Sequence, residues 1–236
     1  MTSTSQKSYA SRLGNAKKMA TIVATFTDYQ PPVPNASVEN LQQTITNIEQ
    51  IQQQYNTATL NYTIVTNERK KIFADNEDSL EKRLAPIRGF VEALKGKESV
   101  VLKQVGTAIK KIRGQAKPKP IADTESETTV ISQVERTYAS RVTNFKIIID
   151  LLTSLGDTYT PPNELITVTA LNELAAKAAQ CTVEVDKALS LLKPIIEARQ
   201  TNFENLKNQV QTIKNFVKAQ YGLTSNEYRQ IKGLTV

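Results

Sequence analysis

Residues Ser37 to about Asp75 contain neither glycine nor proline, and their apolar side chains fall on one seam. Val38, Leu41, Ile45, Ile48, Gln52, Tyr55, Thr59, Tyr62, Val65, Arg69 and Ile72 advance by steps of three and four. That spacing keeps one stripe of a long helix facing a partner. At ~1.5 Å per residue the helix spans roughly 58 Å. A second stretch, Thr167 to about Phe203, carries the same pattern. Its seam is Val168, Leu171, Ala175, Ala178, Thr182, Val185, Leu189, Leu192 and Ile196.

The rest of the chain is ordered around these two stretches. Residues 1–7 read as a tail of Ser, Thr, Gln and Lys. A short helix is expected from about Ser8 to Phe26, with Tyr9, Leu13, Ala16, Ala20, Val23 and Phe26 on its apolar stripe. Pro31, Pro32 and Pro34 then set a stiff corner, because proline presets φ and removes donors. Asn35 or Ser37 caps the long helix that follows. The chain turns near Asp75 to Ser79, and a third helix covers about Ser79 to Leu94. Its inward face is Leu80, Leu84, Ile87, Val91 and Leu94, with a kink expected near Arg83 from Pro86 and a stop at Gly96. A short segment, Ser99 to Val105, closes this half.

The second half repeats the first. Tyr9-Ala10-Ser11-Arg12 recurs as Tyr138-Ala139-Ser140-Arg141, and Asn15 and Asp28 recur as Asn144 and Asp157. One inserted residue later, Tyr29 and Pro31-Pro32 match Tyr159 and Pro161-Pro162. Leu41, Arg69 and Phe73 match Leu171, Arg199 and Phe203. After a four-residue deletion, Phe90-Val91, Gly96 and Ser99 match Phe216-Val217, Gly222 and Ser225. The expected organisation is therefore a tail at 1–7, a helical repeat at 8–106, a charged linker at 107–128 and a second repeat at 129–236. In the second repeat the helices are expected at about Val130 to Leu155, Thr167 to Arg199 and Phe203 to Tyr221. Pro194 either kinks or ends the middle one.

The fold class is all-α: few glycines and prolines, no tryptophan and no spaced run of alternating strands. One repeat alone leaves much of its long seam uncovered. Pairing the two long helices buries both seams, so the expected arrangement is a pseudo-two-fold six-helix bundle built from a duplicated three-helix unit. Two separate three-helix bundles joined by the linker are the alternative.

The motif set Tyr138 to Arg141, Tyr159 to Glu164 and Tyr221 to Gln230 resembles that of small helical bacterial proteins with no assigned activity. The first copy departs from it at Val101 and Leu102, where Glu227 and Tyr228 stand in the second. The resemblance implies a helical fold and carries no functional residues.

Chemistry is excluded more readily than it is assigned. The chain has no histidine, which removes the commonest general base and metal ligand. Cys181 is the single cysteine and cannot make an internal disulfide; it reads as a small buried hydrophobe beside the second seam. Glu68, Asp75, Glu77, Asp78 and Glu81 cluster without a calcium-loop pattern and read as solvated helix-end charge. No glycine-rich nucleotide motif and no Gly-x-Ser-x-Gly occurs. No catalytic residue, metal site or cofactor is expected.

The net charge of +7 concentrates partly in Lys110, Lys111, Arg113, Lys117 and Lys119, a candidate polyanion contact without interleaved aromatics. Tyr9, Arg12, Tyr138 and Arg141 are either a repeated structural motif or an anion or partner site. The short apolar run Phe145 to Leu152 raises membrane insertion as a minor alternative, although no run is long enough to span a bilayer. Lys17-Lys18 ahead of Met19 to Phe26 is expected to be structural rather than a signal peptide, leaving the cytoplasm as the default compartment. The expected function is a non-enzymatic scaffold, assembly subunit or adaptor that binds a protein partner or itself. A polyanion- or nucleic-acid-binding module is the alternative.

Overall fold

In the computed structural model, residues 8–115 and 137–236 are described, and they are helical with no strand among them. The helices are α1 (Tyr9–Val23), α2 (Val38–Lys70), α3 (Leu80–Lys95), α4 (Val100–Ile112), α5 (Tyr138–Thr153), α6 (Val168–Tyr221) and α7 (Asn226–Ile231). Their starts follow the sequence. The Ser8 hydroxyl accepts the Ser11 amide, Thr137 accepts Ser140, Ser37 accepts Asn40 and Ser225 accepts Tyr228. Each cap satisfies a donor that the first helical turn leaves without a partner. Gly96 and Gly222, both at positive φ, end α3 and α6.

Two compact units form. Unit 1 takes residues 1–61 and 189–236, and unit 2 takes 62–188. The division runs through both long helices and not through 107–128, so a compact unit is not an expected repeat. Each unit draws on both.

Unit 1 is built on Ala16, Met19, Ala20 and Val23 of α1, Ala36, and Leu41, Ile45 and Ile48 of α2. Phe203, Leu206, Val210, Ile213 and Val217 of α6, with Ile231 of α7, complete its core. Here α2 and α6 run antiparallel. The Gln209 side-chain amide donates to Asn40 Oδ1 at 2.7 Å, and Arg199 Nε donates to Gln52 Oε1 at 2.8 Å. Polar pairs at both points fix the register between two seams that are otherwise apolar.

Unit 2 uses the matching positions. Phe145, Ile148, Ile149 and Leu152 of α5 stand where α1 has its four, and Ile166 stands for Ala36. Leu171, Ala175 and Ala178 of α6 stand for the three α2 residues, and Phe73 stands for Phe203. Leu80, Leu84, Ile87 and Val91 of α3 stand for the α6 series, and Val105 of α4 stands for Ile231. Every buried core position of unit 1 thus has a buried counterpart in unit 2.

Several boundaries differ from expectation. Residues Thr167 to Tyr221 were expected as two helices, yet α6 is one helix of 54 residues that passes through Pro194. An interior proline costs roughly 3 kcal/mol. Ala188 and Leu192 before it and Phe203 and Leu206 after it are buried, and their packing offsets that cost. In the first repeat the helix does break. α2 ends in a π-type turn, Lys71–Asp75, and the chain turns before Leu80. The four residues by which the two expected repeats differ fall in this region.

α4 runs to Ile112, through 107–112, which were expected to begin the linker. Leu102, Val105, Ala108, Ile109 and Ile112 share one buried face at helical spacing, so the helix continues. Residues 116–128 of that linker lie outside the described residues. α3 runs unbroken past Pro86; four of its five expected inward residues are buried, whereas Leu94 is exposed. Ile196, expected on the second seam, is also exposed.

Phe73 and Phe203 are almost fully buried at matching places in the two cores. Phe73→Ala and Phe203→Ala should each cost about 3–5 kcal/mol in urea unfolding, with the loss expressed as a lower midpoint and an unchanged slope.

Candidate functional site

The repeated Tyr-x-x-Arg motif lies at the start of α1 and of α5, and each copy meets a phenylalanine from the other half of the chain. In unit 1 the Tyr9 ring sits 4.4 Å from Phe203. The Arg12 guanidinium lies 5.0 Å from the Phe203 ring centre, and its Nη2 donates to the Phe203 carbonyl at 2.9 Å. Arg199 is sandwiched between Tyr9 at 4.0 Å and Tyr55 at 4.2 Å. In unit 2 the Tyr138 ring sits 4.8 Å from Phe73. Arg69 lies 3.9 Å over Tyr138. Arg141 lies 5.0 Å from Phe73 and pairs with Glu81 at 2.5 Å.

Tyr9, Arg12, Tyr138 and Arg141 therefore face inward partners. Each guanidinium is spent on π faces plus a carbonyl or a carboxylate, contacts that favour burial of a cation beside rings. The arrangement holds helices together. Arg69 and Arg199, which complete the stacks, stand out in the sequence only as matched positions of the two repeats.

Two tyrosines of the corners form a second repeated device. The Tyr29 hydroxyl donates to the Ala36 carbonyl at 2.6 Å, and Tyr159 donates to Ile166 at 2.9 Å. Each ring meets a phenylalanine edge to face, Tyr29 with Phe216 and Tyr159 with Phe90. Burial pushes both phenols up to about 12; the nearby Tyr221 adds to the effect at Tyr29.

Among the described residues Arg83 is the most enclosed charged side chain, and its sequence context does not distinguish it. Its Nη1 donates to the Leu165 carbonyl at 2.6 Å and its Nε to the Asp78 carbonyl at 2.9 Å. Burial lowers its pKa, opposed by Asp78 and Glu173. It ties the start of α3 to the turn ahead of α6.

The basic run divides. Lys110 and Lys111 occupy the last turn of α4 and Arg113 caps it; Lys117 and Lys119 lie outside the described residues. Lys110 lines an open recess of about 310 Å³ with Arg88, Lys97, Lys103, Leu102, Gly106 and Thr107. Lys111 lies instead in a groove of about 400 Å³ between α4 and α5, with Val100, Ala108, Ile147 and Leu151. Arg88, Lys97 and Lys103 are scattered in sequence and only the α3–α4 turn brings them to Lys110. The seven-residue spacing of Lys103 and Lys110 was the one legible signal.

Of the acidic cluster, Glu68 pairs with Lys71 and Glu81 with Arg141. Among the described residues no three acidic or cysteine side chains converge on a possible metal site. Cys181 is buried, its thiol donates to the Ala178 carbonyl at 3.2 Å, and burial pushes its pKa up. The Phe145 to Leu152 run lies on α5 with Phe145, Ile148, Ile149 and Leu152 in the core. No described helix is long and apolar enough to cross a membrane. The chain matches no protein-family model, and no curated protein or solved structure is similar to it.

The two phenols give an alkaline signature. Each has an ordinary value of 10.0 raised to about 12 in the fold, so the stability they contribute is complete below pH 10 and lost as pH rises through 12. Unfolding midpoints should fall over that window. The double variant Tyr29→Phe/Tyr159→Phe should flatten the fall, while costing about 1–3 kcal/mol at neutral pH from the two abandoned carbonyls. Separately, Cys181 should resist a thiol reagent in the native protein and react fully in denaturant, as absorbance of the released chromophore would record.

Proposed function

We propose that the protein is a non-enzymatic helical scaffold, acting as an assembly subunit or adaptor through the exposed faces of α2 and α6. The carrying observation is in unit 1, where Leu60 is 63% and Leu191 is 64% exposed. The register set by Asn40 with Gln209 and Gln52 with Arg199 brings these two leucines level on neighbouring antiparallel helices. Large apolar side chains left in water mark a place for a partner. The charged and aromatic groups of the repeated motif support the same reading, because their contacts are internal.

The architecture we infer is a duplicated unit whose copies interleave with a pseudo-two-fold relation. The matched core positions support it, as do the two Arg–Tyr–Phe stacks and the two corner tyrosines, whose rings each meet a phenylalanine of the other half of the chain. In this view the long helices are shared beams, and neither copy completes a core alone.

A second reading, polyanion binding, is favoured by the cations around Lys110. Retention on heparin that falls steeply with salt supports it; passage through the column at low salt rejects it.

For the scaffold reading, light scattering across protein concentration should show mass rising above that of one chain. Leu60→Lys/Leu191→Lys should restore the single-chain mass without lowering the melting temperature, because both side chains are exposed. A single-chain mass at every concentration rejects self-assembly.

A further inference from the structure

The recess between α3 and α4 presents four cations to one small space. Arg88 comes from α3, Lys97 from the connecting turn, and Lys103 and Lys110 from one face of α4 two turns apart. Lys103 is paired with Glu98 at 2.8 Å, and that carboxylate side chain is 91% exposed, so it sits at the rim rather than within. Among the described residues no carboxylate pairs with Arg88, Lys97 or Lys110. Like charges gathered in this way repel one another, and a multiply charged anion relieves them.

The floor of the recess is Gly106. Glycine in the interior of a helix is less favourable than alanine. Here it leaves backbone bare between Lys103 and Lys110, with nothing within 4 Å of where a Cβ would stand. The volume, about 310 Å³, lies at the small end of the range of roughly 300–1,000 Å³ that holds small ligands. No aromatic side chain lines it, so it offers no platform for a nucleobase. An arginine fork and three lysine ammonium groups instead suit phosphate oxygens.

We infer that this recess binds a compact small-molecule polyanion carrying two or more phosphate groups. The inference rests on the polyanion reading and narrows it to one site and one ligand class.

Calorimetric titration of the full chain with inorganic pyrophosphate and tripolyphosphate tests it. Saturable 1:1 binding is expected, at least tenfold tighter for tripolyphosphate, and weakening with salt. Gly106→Glu places a carboxylate on the floor and should weaken binding at least tenfold, with no loss of melting temperature because a glycine leaves the helix. Should that variant fail to fold, Lys110→Gln, at an exposed position, should give a tenfold loss of its own. Lys18→Gln on α1 changes the net charge equally and should stay within twofold of the parent.

Absence of pyrophosphate and tripolyphosphate binding at millimolar concentration and low salt overturns the site. So does an equal loss in Lys18→Gln and Gly106→Glu, which would report overall charge. Tighter binding of a single-stranded oligonucleotide that displaces tripolyphosphate overturns it in favour of nucleic acid. Heparin retention without tripolyphosphate binding removes the site but leaves the polyanion reading; loss of both removes both.

Discussion

A long helix with one apolar stripe has to have that stripe covered, and the rest of this structure follows from how the covering is done. In unit 1 the first part of α2 lies antiparallel to the last part of α6, held in register by Asn40 with Gln209 and Gln52 with Arg199. Burial at the ends is dense: Leu41, Ile45 and Ile48 on one helix, and Phe203, Leu206, Val210 and Ile213 on the other. Over the second half of α2, from Gln52 to Arg69, the seam positions are only half-buried. The polar residues there, Gln52, Thr59 and Arg69, are those that interrupt the apolar pattern in the sequence. Stability therefore resides in the two cores.

The arginines explain how cores this small stay defined. Arg12 and Arg199 in unit 1, and Arg141 and Arg69 in unit 2, stack on tyrosine and phenylalanine rings at the ends of α1 and α5. A guanidinium beside a ring keeps a weakly hydrated face out of water, and the N–H groups of Arg12, Arg141 and Arg199 each find an oxygen acceptor. The two stacks are not identical. Unit 2 neutralises Arg141 with Glu81, whereas in unit 1 the Phe203 carbonyl takes that place for Arg12. Glu81 lies in the first turn of α3, just beyond the turn that follows α2.

Charge outside the cores is disposed differently. Residues whose net excess looked like a feature of one basic run are distributed on either side of α4, with Lys110 facing Arg88, Lys97 and Lys103, and Lys111 facing α5. A helix rotates neighbours by about 100° per residue, and here that rotation turns Lys110 and Lys111 towards different recesses. The basic recess and the exposed leucines of α2 and α6 are thus separate features, one suited to a small anion and the other to an apolar partner surface.

The helical class, the proline corners, the Ser37 cap, the Gly96 stop and the repeated Tyr-x-x-Arg, Tyr and Phe positions were legible in the sequence, because each depends on local spacing or local backbone chemistry. Ser37 with Asn40 and Gly96 are examples in which a single residue type at one position is enough. Helix ends were less legible. Pro194 lowers local propensity yet α6 continues, and 107–112 are basic yet Ala108, Ile109 and Ile112 carry α4 onward, since buried packing outweighs propensity at both places. Which half of the chain meets which was decided by tertiary structure alone. Tyr9 reaching Phe203, Tyr138 reaching Phe73, Arg83 reaching Leu165 and four scattered cations reaching one recess depend on chain crossings that no periodicity records. A seam determines only that a partner must cover it; shape and register between distant segments select the partner.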